Sequence, residues 1–576
     1  MAQTPLLDRP TETEMIERSV ALAGRLLAES QRIATKAETR QLHRLGRLVN
    51  DVRGRELVQM LTDDVLRIRD RRRAARRFHD VVETVGAPSS LGALDAVMLR
   101  AGALLAPHAP RLLMPLVARR IRNETKGVVL SAADPAFAGH VRARSSEGVR
   151  LNVNVLGEAI LSDAEADARL ATVRARLARA DVNYVSVKIS AICANLDPLA
   201  FDDSVGRVAS SLRVLYRDAM ANTPAKFVNL DMEEFKDLDL TVAAFTTVLD
   251  EPEFEAMEAG IVLQAYLPDS HAALAHLGDW AVARRERAGG RGGIKVRIVK
   301  GANLAMEQVD AEVHGWHQAP YSTKAEVDAS YKAMLQSALR PEWSDAVRVG
   351  LASHNLFDVA WGLVQRDLLD RPERLELEML EGMAPAQARA VNAAAHGLLL
   401  YAPVVAPHDI DSSIAYLSRR LDENTSPDNF LRALFTLRPG TPEFADQADR
   451  FRRSVADRAE VANSSFRAAP LAALDPTEFH NSPDSDFTIT AVRAALAPVA
   501  PAVAVPHVAD VAAIDAAVAI AVAASRRWAV ATLDARRDLL LAVAETMSLR
   551  RNESIAVMAD EAGKTVREAD PEVSEG

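Results

Sequence analysis

Apolar and polar positions change rhythm near residue 150, and the change divides the chain. From Glu12 to Ala118 apolar residues recur at steps of three and four with charges between, as in LAGRLLAES, LHRLGRLV and LVQMLTDDVLRIRD. That period predicts one amphipathic helix after another. From Leu151 the text turns to short β-rich runs: LNVNVLG, YVSVKIS, KFVNLD, IVLQAYL, IKVRIVKGA, VRVGLASHN, LELEML and LLLYAPV. Amphipathic stretches separate them. Apolar strands alternating with helices predict a parallel sheet buried on both faces. Eight such units predict an α/β chain built on a (β/α)8 barrel, whose functional groups sit at the C-terminal ends of the strands.

After the eighth strand comes YLSRRLDEN, Tyr416 to Asn424. Wound as a helix, it sets Tyr416, Arg419, Arg420 and Glu423 on one face. Two readings compete: a solvated face with an Arg419–Glu423 ion pair, or paired guanidiniums that grip a small carboxylate. From about Pro439 to Val508 the chain is punctuated by proline, as in LAPVAPAVAVPHV, and reads as linker. From about Asp515 amphipathic helices return, with apolar stripes that need a partner surface. The expected divisions are a helical arm (1–145), the barrel (146–436), a linker or wrap (437–508) and a further helical fragment (509–576).

Composition narrows the function classes. The chain has 576 residues, 49% hydrophobic and 26% charged, which describes a folded, multidomain protein. A net charge of −10 argues against a nucleic-acid partner. The basic run RDRRRAARRF, Arg69 to Phe78, comes without a stacking platform and reads as a solvated or salt-bridged helix face. A single cysteine, Cys193, excludes an intramolecular disulfide and fits a reducing, cytoplasmic setting. The opening MAQTPLLDRP shows no signal pattern, and no apolar run approaches the ~18 residues that span a bilayer.

Candidate chemistry lies at the predicted strand ends: Glu158, Lys188, Asp231, Gln264, Arg297 with Lys300, His354 with Asn355, and Tyr401. Charges there are expensive to bury unless paired, so their convergence on one mouth describes a site. Cations outnumber anions, which suits phosphate and carboxylate ligands. No G-x-G-x-x-G follows a strand; GGRGG, Gly289 to Gly293, precedes one and reads as a loop. His314 and His317 in HGWH lie away from the strand ends, so no metal is expected. Cys193 reads as a packed thiol.

The motifs LGEA at Leu156, SVKISA at Ser186, NLDMEE at Asn229, VLQAY at Val262, VRIVKGA at Val296, ASHN at Ala352, LYAPV at Leu400 and RRLDEN at Arg419 follow one another at the strand ends. In this order they resemble the flavin-dependent proline dehydrogenases, particularly those fused to an aldehyde dehydrogenase in bacterial proline-utilisation enzymes. The resemblance implies FAD at the barrel mouth, L-proline as substrate and 1-pyrroline-5-carboxylate as product, in the first step of proline degradation to glutamate. It implies Asp231 and Arg297 as active-site residues, and Arg419 and Arg420 on the proline carboxylate with Lys188 as a further cation. Tyr401 and Tyr416 would shape the pocket, and Glu158 would pair with Arg419. Met232, Gln264, Lys300, Gly301, Ala302, Ser353 and His354 match flavin-contacting positions, and Glu423 is carried with them.

By the same analogy electrons pass to a quinone, with peripheral contact at the inner face of the membrane. Two departures stand out: Asn303 follows KGA where the family often has an aromatic, and VAPHDIDSS before Tyr416 is longer than expected. FHNSPDSDF and EAGKTVREADPEVSEG resemble the start of the aldehyde dehydrogenase module, cut short here. Oxidation of glutamate semialdehyde is therefore expected to be absent from this chain. Alternatives stay open: half of a split enzyme that needs a separate dehydrogenase chain, a homo-oligomer, or a non-catalytic flavin- or partner-binding barrel.

Overall fold

Each of the eight β-rich runs forms a strand in the computed structural model, which describes residues 10–40, 51–124, 129–156, 160–406, 437–469, 481–496 and 510–576, with single positions at 47, 430 and 433. The strands are β2 (Val149–Val155), β3 (Tyr184–Lys188), β4 (Phe227–Asp231), β5 (Ala259–Gln264), β6 (Ile294–Val299), β7 (Val347–Ala352), β8 (Leu375–Leu380) and β9 (Leu398–Val405). All pair in parallel in sequence order, and β9 pairs with both β8 and β2, so the sheet closes into an eight-stranded barrel. β2 occupies one edge of β9 along most of its length. Past the end of β8 the other edge is taken by the two-residue strand β1 (Leu130–Ser131).

Local signals start the connecting helices. Ser162 accepts from Glu165 N at the head of Asp163–Leu177, and Thr323 and Glu326 form a capping box on Lys324–Ala338. Several helices end on buried cations. Lys226 Nζ donates to Leu177 O and Arg179 O, both at 2.6 Å. Arg284 donates to Leu249 O at 2.9 Å, Phe254 O at 2.7 Å and Met257 O at 2.9 Å. Each cation meets the last carbonyl of a helix, Leu177 O or Leu249 O, at its negative end, together with carbonyls of the turn that follows.

The chain divides into two units, residues 1–302 with 321–464, and residues 303–320 with 465–576. In the first, helix Glu12–Ile33 lies on helices Leu356–Arg366 and Pro385–Ala395, and its Ala23, Leu26 and Leu27 belong to the barrel's core. Residues 52–124 have a separate core around Leu57, Val65, Phe78, Val81 and Val85. Where proline-rich composition predicts only a linker, Pro442–Ala456 is a helix with Phe451 and Val455 buried in the barrel's core. Thr441 caps it and Pro442 opens it, so this proline starts a helix rather than interrupting one.

In the second unit, helices Arg551–Ala562 and Val566–Glu575 close on Ile555, Ala569 and Val573. A polar clamp holds them, with Arg551 Nε on Asp570 at 2.6 Å and on Pro483 O through Nη1 at 3.0 Å. His314 meets Asp484 at 2.8 Å and stacks on Trp316 at 4.5 Å. Among the described residues, no group of three or more His, Cys, Asp or Glu is placed to hold a metal ion, and no helix is long and apolar enough to cross a membrane.

Candidate active site

Asp231 ends β4 and comes together with Arg297 and Tyr401, which lie inside β6 and β9 rather than at their ends as the sequence reading expects. Tyr401 donates its hydroxyl to Asp231 Oδ2 at 2.7 Å, and the Arg297 guanidinium lies 4.7 Å from the Tyr401 ring centroid. Arg297 Nη1 stands 3.6 Å from Asp231 Oδ1. The carboxylate also accepts from Asn154 Nδ2 and Asn229 Nδ2, each at 3.1 Å. Burial pushes the Asp231 carboxyl above its ordinary range, against Arg297 and the Tyr401 hydroxyl. Arg297 keeps its charge despite burial because Glu378 and Asp231 face it.

The first impression of a cation-rich mouth is corrected by acids that strand-end reading did not place there. Lys188 Nζ meets Glu233 Oε1 at 2.5 Å, and Ser190 donates to the same carboxylate at 2.9 Å. Lys300 Nζ lies 2.6 Å from Asp328 and 2.7 Å from Asp358. Asp358 also holds Lys332 and accepts from Ser353 Oγ at 3.0 Å, while Lys324 reaches Asp328. Burial works against Lys300, yet the two carboxylates carry its pKa above the ordinary lysine value. Lys324 is pressed down to about 8 by burial and by Lys300 beside it. Each described cation among the sequence candidates therefore sits against at least one carboxylate, as charges removed from water require.

Other candidates ring the same strand ends. Gln264 is buried at the end of β5; its Nε2 donates to Glu233 O at 3.2 Å, and its Oε1 has no hydrogen-bond partner among the described residues. Met232 is buried after β4. His354 Nε2 accepts from Leu380 N at 2.9 Å, which makes that nitrogen the unprotonated one. Gly301 has φ +124, and a Cβ there would lie 2.4 Å from the Tyr266 ring, so only glycine suits this close approach. Ala302 beside it is exposed. Glu158, Tyr416, Arg419, Arg420 and Glu423 lie outside the described residues.

Beneath the mouth the barrel interior is polar, and sequence reasoning missed this layer. Lys295 meets Glu376 and Glu378 at 2.5 Å each, and Arg297 Nε approaches Glu378 Oε2 at 2.7 Å. The signal was present: Lys295 and Arg297 in IKVRIV, and Glu376 and Glu378 in LELEML, alternate at the strand period. Charges at i and i+2 on buried strands mark the face that lines the barrel.

Comparisons with known proteins bear on the whole of this region. The family profile described as Proline dehydrogenase matches residues 137–433, and the one described as Aldehyde dehydrogenase family matches residues 496–576. The Bifunctional protein PutA of Klebsiella aerogenes is 26% identical over 315 residues, covering 51% of this chain and 23% of that protein. The Proline dehydrogenase of Deinococcus radiodurans is 27% identical over 287 residues, 49% of this chain and 80% of that protein. Among solved structures, Proline Utilization A from Corynebacterium freiburgense is 41% identical with a TM-score of 0.69, covering 82% of this chain and 46% of that one. The chain thus spans about a quarter of the curated bifunctional relative and just under half of the Corynebacterium protein.

Proposed function

The chain belongs to the proline dehydrogenase family, and from that premise we propose that its barrel oxidises L-proline to 1-pyrroline-5-carboxylate with FAD as hydride acceptor. The observation that carries the reading is the Asp231–Arg297–Tyr401 cluster at the barrel mouth, inside the matched residues. The mouth also suits a flavin. Gln264 Oε1 is a buried acceptor without a partner among the described residues, fit for an N–H or O–H of a ligand, and Gly301 keeps the backbone after β6 free of a side chain.

Met232, Gln264, Arg297, Lys300, Gly301, Ala302, Ser353 and His354 would hold FAD, with Glu423. When bound, FAD supplies the two-electron acceptor chemistry that side chains lack. The protein's own part is to orient and desolvate. Arg419 and Arg420 would grip the proline carboxylate in two-pronged geometry, with Glu158 paired to Arg419. Lys188 would join them only by sharing its charge with Glu233. Tyr401 and Tyr416 would wall the ring, and Asp231 Oδ2 fixes the Tyr401 hydroxyl. Bond breaking at proline carbon 5 releases a hydride, and the amine must first lose a proton so that its lone pair can form the imine. No protein nucleophile is required.

Electrons would pass to a quinone, with peripheral membrane contact at that step. Exposed Val518, Ile520, Leu539 and Leu540 on helices Val511–Val530 and Leu533–Leu549 favour a partner, whether a second copy or a separate dehydrogenase chain. Oxidation of glutamate semialdehyde is not assigned to these residues, whose one cysteine, Cys193, is buried in the barrel core.

The test is steady-state oxidation of proline with a soluble quinone, by wild type and by Arg419→Lys and Arg420→Lys. Each variant is expected to raise the KM for proline about tenfold or more, because a lysine cannot reproduce the fork. Unchanged KM in both would remove the carboxylate assignment.

A further inference from the structure

Glu378 lies one layer below the mouth, and the proposed function leaves it unused. It is fully buried on β8, with Lys295 Nζ 2.5 Å from Oε1 and Arg297 Nε 2.7 Å from Oε2. Gly350 on β7 makes the room: a Cβ there would stand 2.2 Å from Glu378 Oε1 and 2.8 Å from Lys295 Cε. Charged and titratable groups face the carboxylate from all sides. β6 contributes Lys295 and Arg297, and β8 itself contributes Glu376, paired with Lys295 and with Arg150 of β2. Tyr184 of β3 and Tyr331 of helix Lys324–Ala338 also feel the carboxylate, while Asp231 of β4 and Tyr401 of β9 face Arg297.

We propose that Glu378 is the positioning residue of Arg297: its carboxylate holds the guanidinium from the Nε side by charge, as an ion pair without an aligned hydrogen bond, so that the Nη groups are presented to Asp231, the Tyr401 ring and the ligand above. This rests on the reading of the mouth as a dehydrogenase site. A buried guanidinium seeks the nearest anions, and Arg297 has two, Glu378 below and Asp231 at 3.6 Å above. With Glu378 ionised, the pull from below keeps Arg297 from collapsing onto Asp231 and closing the space between them. Lys295 is the counter-cation that lets two acids, Glu376 and Glu378, stand inside the barrel. Asp231, Glu378 and Glu376 against Arg297, Lys295 and Arg150 make a column of alternating sign with three charges of each kind. Burial presses Lys295 down to about 8 even so, which marks how little solvent reaches this layer.

The test is a crystal structure of Glu378→Gln without ligand, together with kinetics per bound flavin. The expected structure has Arg297 released from β8 and moved onto Asp231, with the Nη1–Oδ1 separation shortened from 3.6 Å to about 2.9 Å. The expected kinetics are a kcat lowered about tenfold or more with the KM for proline changed less than about threefold, because orientation near the reacting atoms is what is lost. The double variant Lys295→Met/Glu378→Gln removes one charge of each sign and is expected to move Arg297 in the same way, which keeps the test open if the single variant does not fold. An unmoved Arg297 with unchanged kcat per flavin, whatever the melting temperature, overturns the proposal. If wild type takes up FAD and proline does not reduce it, the dehydrogenase reading fails, and the displacement of Arg297 still decides the role of Glu378.

Discussion

Tyr401 is the residue whose removal reads most directly on the electrostatics of the mouth. Its hydroxyl donates to Asp231 at 2.7 Å and, after Arg297, is the next group holding down a carboxyl that burial raises. Tyr401→Phe takes that support away, so Asp231 titrates at higher pH. If ionised Asp231 is required, the acid limb of the pH–rate profile moves upward and kcat/KM at neutral pH falls on the order of tenfold. A limb that does not move, measured by stopped-flow flavin reduction, would show that Asp231 does not act through its charge. Asp237 offers the matching test for stability. Burial, the leading cause, lifts its pKa to about 7. A raised carboxyl contributes stability that is complete below the unfolded value near 4 and is lost as pH rises through about 7. Asp237→Asn escapes that loss, so its advantage over wild type in urea denaturation should be near zero at pH 4 and grow to at most about 4 kcal/mol at pH 8. A gain independent of pH would assign the effect to packing instead.

At the scale of elements, the buried cations at helix ends are a testable part of the barrel's architecture. Arg284 gives three hydrogen bonds to the carbonyls of Leu249, Phe254 and Met257, on the turn that leads into β5. Arg284→Met keeps much of the volume and takes a donor from all three carbonyls, of which Phe254 O keeps the Met257 N–H, so a loss of about 2–5 kcal/mol is expected in urea denaturation. Arg284→Lys should recover only part of it, since an ammonium cannot reach the three oxygens in the same plane. The strands themselves were legible from sequence because the barrel demands short apolar runs at regular intervals, and each of the eight runs became a strand. The meeting of Asp231, Arg297 and Tyr401 was legible in part: Asp231 ends β4, whereas Arg297 and Tyr401 lie inside their strands and reach it from there. Glu233, Asp328, Asp358 and Glu378 were not, because their importance comes from partners on other strands and helices. Strand period shows which way Glu378 points, and only the closed sheet shows that Lys295 and Arg297 share it. Helix Pro442–Ala456 was hidden by the opposite error, in which a proline that opens a helix was counted as a breaker.

For the whole molecule, the barrel mouth holds Asp231, Arg297 and Tyr401 with a buried acceptor at Gln264, and the charge column that begins at Asp231 runs inward and sums to zero. The proposed reaction requires this mouth to bind FAD and to pass it a hydride from L-proline. The most direct measurement is the visible spectrum of the purified, FAD-loaded protein during anaerobic titration with L-proline. The expected result is a yellow protein whose flavin absorbance bleaches with one proline consumed per flavin, and no bleaching with D-proline at the same concentration. A colourless protein that takes up no FAD, or a yellow one that L-proline leaves oxidised, would contradict it.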